Sequence, residues 1–129
     1  MTEFAGKSLE GARVLVVEDE FFIADDIARG LRQMGAQPLG PASTVEQAER
    51  IVADEQVDAA ILDLNLRGHI AADFVNRLAA TQIPCLIVSG YGQDAVPEVV
   101  SHLPRLEKPV SVRMVLERLA EELAPADQR

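Results

Sequence analysis

A single cysteine, Cys85, stands among the 129 residues, so no internal disulfide can form and the chain is expected in a reducing cytoplasm. Its setting, Pro84-Cys85-Leu86-Ile87-Val88, is that of a buried strand, which makes it a small core side chain. A reactive thiol would need electropositive, accessible surroundings. Positive charge is also scarce: 12 basic residues against 21 acidic ones leave a formal charge of −9. No basic cluster interrupts that balance, which argues against direct nucleic-acid binding, and an acidic surface argues against anionic membranes. No apolar run reaches the length of a membrane-spanning helix, and Met1-Thr2-Glu3-Phe4 lacks the cationic and apolar regions of a signal peptide. Internal repeats, low-complexity segments and a linker to a second domain are missing too. The expected organisation is one domain over residues 10–124, with short tails at 1–9 and 125–129.

What is present is an alternation of extended and helical patterns in a chain that is 48% apolar, long enough to bury about two-thirds of the surface it exposes when unfolded. Val14 to Val17 is a near-continuous apolar run, as expected of a strand covered on both faces. Residues 20–34 then carry Ile23, Ile27, Leu31 and Met34 at helical spacing, with Gly35 where a C-terminal cap glycine belongs. A weaker, edge-like strand over 37–42 leads to Ser43-Thr44-Val45-Glu46, which reads as a capping box ahead of a second helix with Val45, Ala48, Ile51 and Val52 inward. Val57 to Leu62 is the third strand. After a loop from Asp63 to Ile70, a helix over 71–81 turns Phe74, Val75 and Leu78 inward. Leu86 to Val88 is the fourth strand, followed by the turn Ser89-Gly90-Tyr91-Gly92 and a weakly marked helix over about 94–102 with Pro97 near its start. Leu103 to Glu107 is a short fifth strand. Ser111 caps a last helix lined by Val112, Val115, Leu116, Leu119 and Leu123. Five strand–helix units predict a doubly wound, flavodoxin-like α/β fold, a five-stranded parallel sheet with five helices in three α/β/α layers.

In such sheets sites form at the carboxyl ends of the strands, near the switch in strand order. Glu18, Asp19, Asp63, Ser89 and Lys108 all fall just past strand ends, so residues distant in sequence converge on one rim. Magnesium prefers oxygen ligands and keeps several waters. Asp19 and Asp63 can serve as two such ligands, with Glu18 holding a coordinated water. A carboxylate beside the metal can attack a phosphoryl group, while the metal and the Lys108 ammonium neutralise the developing charge. Ser89 can donate a hydrogen bond to the product, and Gly90 leaves room for it. Taken alone, Glu18 and Asp19 also read as helix-start acids favoured by the macrodipole, and Ser89-Gly90 as an ordinary turn.

Four segments, Val16-Val17-Glu18-Asp19-Glu20, Ile61-Leu62-Asp63-Leu64-Asn65, Val88-Ser89-Gly90 and Glu107-Lys108-Pro109, each short, stand in order at four strand ends. In that combination the chain resembles a response-regulator receiver domain over essentially its whole length. The resemblance implies that Asp63 is the phosphoacceptor for a partner histidine kinase or phosphotransferase. It also implies that Glu18, Asp19, Asp63 and the main-chain carbonyl of Asn65 bind Mg2+, that Ser89 and Lys108 sense and hold the phosphoryl group, and that the Lys108–Pro109 peptide is cis. Receivers usually carry Tyr or Phe three residues before the lysine, where this chain has Arg105. The turn Ser89-Gly90-Tyr91-Gly92 is similar to the Thr-Gly-Tyr-Gly turn of an alphaproteobacterial receiver subgroup that also lacks that aromatic. The switch candidates are therefore Ser89, Tyr91 and Arg105, with signalling through rearrangement of the Ser89–Gly92 turn and the adjacent weak helix.

Phe21 and Phe22 open the first helix and cannot both face the core. One of them exposed would help dock a partner, as the first helix of receivers does; packing both rings partly is the other reading. His69, His102, Asp25, Asp26 and Asp73 have no ligand-like company and are assigned no role. The expected function is a stand-alone, single-domain response regulator of a two-component or phosphorelay system, a monomer or weak dimer. It would act by binding a downstream protein target, by relaying phosphate or by draining it from a kinase, without being an enzyme beyond assisting its own phosphorylation and dephosphorylation. Two alternatives are a receiver-like scaffold that binds partners without phosphorylation and an aspartate-dependent phosphatase of the haloacid dehalogenase type. The latter needs a second Asp two residues after the nucleophile, where Asn65 cannot transfer a proton in that role.

Overall fold

The computed structural model describes residues 9–66, 69–90 and 96–123. Five strands, β1 (Arg13–Val17), β2 (Gln37–Ala42), β3 (Ala59–Leu62), β6 (Cys85–Ser89) and β7 (Arg105–Glu107), pair in parallel in the order β2-β1-β3-β6-β7. Alternation along each strand sends side chains to opposite faces, and both faces are covered. Leu15, Val17, Ala60, Leu62, Cys85 and Ile87 belong to one buried cluster with α2 (Val45–Asp54) and α3 (Ala72–Ala79). Val14, Val16, Ala59, Ile61, Leu86 and Val88 belong to a second, with α1 (Phe21–Gln33) and α4 (Val112–Leu123). That two-sided burial is why β1, β3 and β6 read as unbroken apolar runs, and each fully buried Leu, Ile or Val contributes about 1.5–3 kcal/mol.

The predicted five-stranded, three-layer sheet is therefore observed, with two differences. Among the described residues there are four α-helices rather than five. Of the weak helix expected over 94–102, residues 94 and 95 lie outside the described residues, and the described part holds a single 3-10 turn, Glu98–Val100. Pro97 has no N–H to give to a preceding turn and Pro104 disfavours helical geometry at the residue before it, leaving little room for a regular helix between them. The loop after Asp63 also contains a small antiparallel pair, β4 (Asn65–Leu66) with β5 (His69–Ile70). Strands of two residues are too short to show a period.

Helix ends bear out some capping expectations and shift others. Gly35, at φ 82°, ends α1, where its N–H donates to Arg32 O at 3.0 Å and the Ala36 N–H to Leu31 O at 2.9 Å, the paired bonds of a Schellman motif. The capping box ahead of α2 lies one residue later than predicted: Thr44 Oγ1 accepts the Gln47 N–H at 3.1 Å, and Gln47 Oε1 accepts the Ser43 N–H at 2.8 Å. Glu46 is one position too early to reach back in that way. Ser111 Oγ accepts the Met114 N–H at 3.1 Å, as a cap for α4 should.

Candidate functional site: an acidic rim closed by a lysine

The sheet itself positions the rim. One residue past β1 the Glu18 N–H donates to Ala42 O at 2.9 Å, and one residue past β3 the Asp63 N–H donates to Val17 O at 2.9 Å. The Lys108 N–H donates to Ser89 O at 2.7 Å. Strand-type backbone bonds thus continue one step beyond the ladder and fix where each side chain leaves the chain. β1 and β3 are adjacent at the point where strand order reverses, so both acids sit at the switch point.

Glu18 and Asp63 are buried, at 4% and 6% exposure, although both are acids. Asp63 Oδ1 accepts the Asn65 N–H at 3.0 Å, and Glu18 Oε2 accepts the Glu20 N–H at 3.1 Å. Lys108 supplies the counter-charge. Its Nζ lies 3.0 Å from Asp63 Oδ2, 3.1 Å from Glu18 Oε1 and 3.0 Å from Glu20 Oε1. Burial, with the negative Asp63 adding to it, pushes the Glu18 carboxyl up to about 7, against the opposing pull of the Glu20 N–H and Lys108. Burial disfavours the Lys108 ammonium, but the hydrogen bonds it donates to Asp63 and Glu20 outweigh it and raise its pKa. Carboxylate oxygens of Glu18, Asp19 and Asp63 lie within 4.8 Å of one another. An all-oxygen, partly buried set of this spacing is chemically suited to a small hard cation such as Mg2+.

The other predicted residues fall as follows. Ser89, at 1% exposure, closes β6 beside the Lys108 backbone. Asn65 starts β4 and touches Asp63 through its own N–H. The Lys108–Pro109 peptide is cis, as is Gly40–Pro41. Arg105 is not part of the carboxylate cluster. It pairs in register with Ile87 on β7, and its Nη1 is buried without a hydrogen-bond partner among the described residues. Tyr91 lies outside the described residues. Phe21 and Phe22 are both exposed, at 72% and 80%, and stack edge to face with centroids 5.6 Å apart; the alternative of partly packed rings does not hold. Cys85 is a buried strand residue whose thiol burial pushes up to about 12, which leaves it inert.

Sequence reasoning missed Glu20. It reads as one more solvated acid at a helix start, and 88 residues separate it from Lys108. The available signal was its place directly after the Glu18-Asp19 pair, in a loop that must already lie on the rim.

Fold and site together define a class: a doubly wound module with a lysine-closed carboxylate cluster at its switch point. The comparisons identify the family. The model of the response regulator receiver domain matches residues 14–119, and the chain belongs to that family, the receiver domains of two-component response regulators. It is similar to the solution structure of SdrG from Sphingomonas melonis Fr1, with a TM-score of 0.75 and 36% identity over 88% of this chain and 97% of that one. A receiver domain protein (CheY-like) from Methanospirillum hungatei JF-1 superposes with a TM-score of 0.77 at 22% identity, over 88% and 94% of the two chains. Among curated proteins, Transcriptional regulatory protein PdtaR of Mycobacterium tuberculosis is 28% identical over 82 residues, 63% of this chain. The chain spans 40% of the length of that relative. Among the described residues no helix is long and apolar enough to cross a membrane.

Proposed function

We propose that Asp63 accepts a phosphoryl group from a phosphohistidine of a histidine kinase or phosphotransferase. The observation that carries this is a buried carboxylate, bonded at 3.0 Å to Lys108 Nζ, within a cluster of three acids at a sheet's switch point. A carboxylate oxygen of Asp63 forms a bond to phosphorus as the P–N bond to the donor imidazole breaks, with the nitrogen keeping the electron pair. Glu18, Asp19, Asp63 and the Asn65 carbonyl would hold Mg2+, which when bound supplies positive charge opposite the phosphoryl oxygens. Lys108 donates to a phosphoryl oxygen, and the Ser89 hydroxyl closes on the product. The Asn65 amide transfers no proton, which disfavours rapid phosphatase turnover; the chain assists only its own phosphorylation and dephosphorylation.

The exposed Phe21–Phe22 pair, at the start of α1 next to the rim, is the apolar contact for the donor's helix in this reading. Absence of an aromatic at Arg105 and the resemblance of Ser89-Gly90-Tyr91-Gly92 to a Thr-Gly-Tyr-Gly turn support a switch centred on the turn after Ser89 rather than on position 105. The site of action is the cytoplasm, and the product is a signal delivered to a protein target. Incubation with acetyl phosphate and MgCl2 should give one base-labile, acid-stable phosphoryl group by intact mass. Equal labelling of Asp63→Asn would overturn the assignment.

A further inference from the structure

An ammonium has three N–H donors, and all three of Lys108 meet carboxylates in this structure: Asp63, Glu18 and Glu20. The three acceptors are not equivalent. The side chains of Glu18 and Asp63 are 3% and 7% exposed, whereas that of Glu20 is 61% exposed. Glu18 is further tied down by the Glu20 N–H. A phosphoryl group on Asp63 brings new anionic acceptors to the same ammonium, and these compete for its donors with the carboxylates already there. Glu20 alone can move into water with little loss of solvation, since ion pairs with an exposed partner are weak.

We propose that Glu20 is a positioning residue for Lys108. In the resting state it occupies the donor direction that a phosphoryl oxygen takes in the product, and it adds a negative charge against which an anionic phosphodonor must approach. This rests on the reading of Asp63 as phosphoacceptor. Glu20 thereby slows uptake of phosphate from small donors and gives up its bond to Lys108 once Asp63 is modified.

The test times labelling of wild type, Glu20→Ala and Glu20→Gln across acetyl phosphate concentrations at saturating MgCl2. Both variants should raise the second-order rate constant about two- to five-fold, the span that an ion pair with one exposed partner allows. Most of the gain should come from a lower half-saturating donor concentration. In a Lys108→Ala background the same substitutions should change nothing, as a double-mutant cycle for a direct pair requires. A second readout is independent of labelling speed. The Glu20 carboxyl carbon resonance should move toward its free-solution position when beryllofluoride and Mg2+ are added to wild type.

Labelling of both variants at or below the wild-type rate would overturn the proposal. So would an equal gain without Lys108, which would assign Glu20 to the general field of the rim, or an unmoved carboxyl resonance. Failure of wild type itself to be labelled would instead sink the phosphoacceptor reading.

Discussion

Replacing Glu18 by Gln should make the protein's stability less dependent on pH, and the size of the effect follows from the site. Burial and Asp63 raise the Glu18 carboxyl from its ordinary 4.5 to about 7. Between those two values the native state keeps a proton that the unfolded chain has released. The unfolded state then binds fewer protons, so the slope of unfolding free energy with pH is negative and stability falls as pH rises through that window. At about 1.4 kcal/mol per unit the full shift corresponds to roughly 3 kcal/mol. Lys108, at 3.1 Å, shares charge with Asp63 and Glu20, so a loss on the order of 1–3 kcal/mol is expected by pH 8. Glu18→Gln removes the titration but leaves an amide oxygen able to accept the Glu20 N–H. Any penalty from its NH2 facing Lys108 is independent of pH and shifts the curve without tilting it. Thermal melts at pH 5, 6, 7 and 8 in EDTA should show the variant gaining on wild type with each step. About 4 °C per kcal/mol applies to a domain of this size. Adding MgCl2 at pH 8 should stabilise wild type through preferential binding to the folded state, and Glu18→Gln much less. A difference between the two proteins that stays constant from pH 5 to 8 would refute the assignment of the strain to Glu18.

Two further perturbations probe different parts of the molecule. Phe22→Asp removes a ring that is 80% exposed, so melting temperature and acetyl phosphate labelling should hold, while transfer from phosphorylated histidine kinases in a panel should fall about tenfold or more, as for a central apolar anchor; unchanged transfer from every kinase would end the docking reading. Gly40→Ala places a Cβ 2.7 Å from the Ala42 backbone nitrogen and 3.1 Å from Val16 O at a φ of 97°. That should cost about 2–3 kcal/mol in urea denaturation, and a loss below about 0.5 kcal/mol would show that β2 adjusts freely.

The legibility of the sequence tracks burial and element length. β1, β3 and β6 are recognisable because both faces are covered and, apart from Arg13 and Ser89 at two strand ends, every position is apolar. β7 is legible from its place in the alternation rather than from its own pattern, because Arg105, Leu106 and Glu107 are only half-buried or exposed; the segment before it is not, because prolines flank a stretch too short for a helical period. The rim was legible for a different reason: Glu18, Asp63, Ser89 and Lys108 each adjoin a strand end, and parallel topology converts that one-dimensional position into proximity. What position alone does not encode is the partner of a long side chain. Glu20 and Lys108 meet because a flexible acid and a flexible amine both lean over the same edge, and no spacing rule reports that.

Taken together, the rim holds more negative charge than one ammonium can neutralise. Glu18, Glu20 and Asp63 contact Lys108, Asp19 lies beside Glu18 and Asp63, and two of these acids are nearly inaccessible to water. A site optimised for stability alone would have replaced at least one buried carboxylate by an apolar side chain of similar size, a change that is often neutral or favourable. The surplus charge is most readily relieved by binding a cation, and the resulting complex is then neutral enough to approach a phosphoryl anion. Instability at Glu18 and reactivity at Asp63 are on this view two expressions of one arrangement. The pH slope of the metal-free protein and the labelling rate of the metal-loaded one should therefore change together when Glu18 is replaced: Glu18→Gln flattens the first and lowers the second. A variant that flattened the slope yet was labelled at the wild-type rate at limiting MgCl2 would separate the two properties and refute the link.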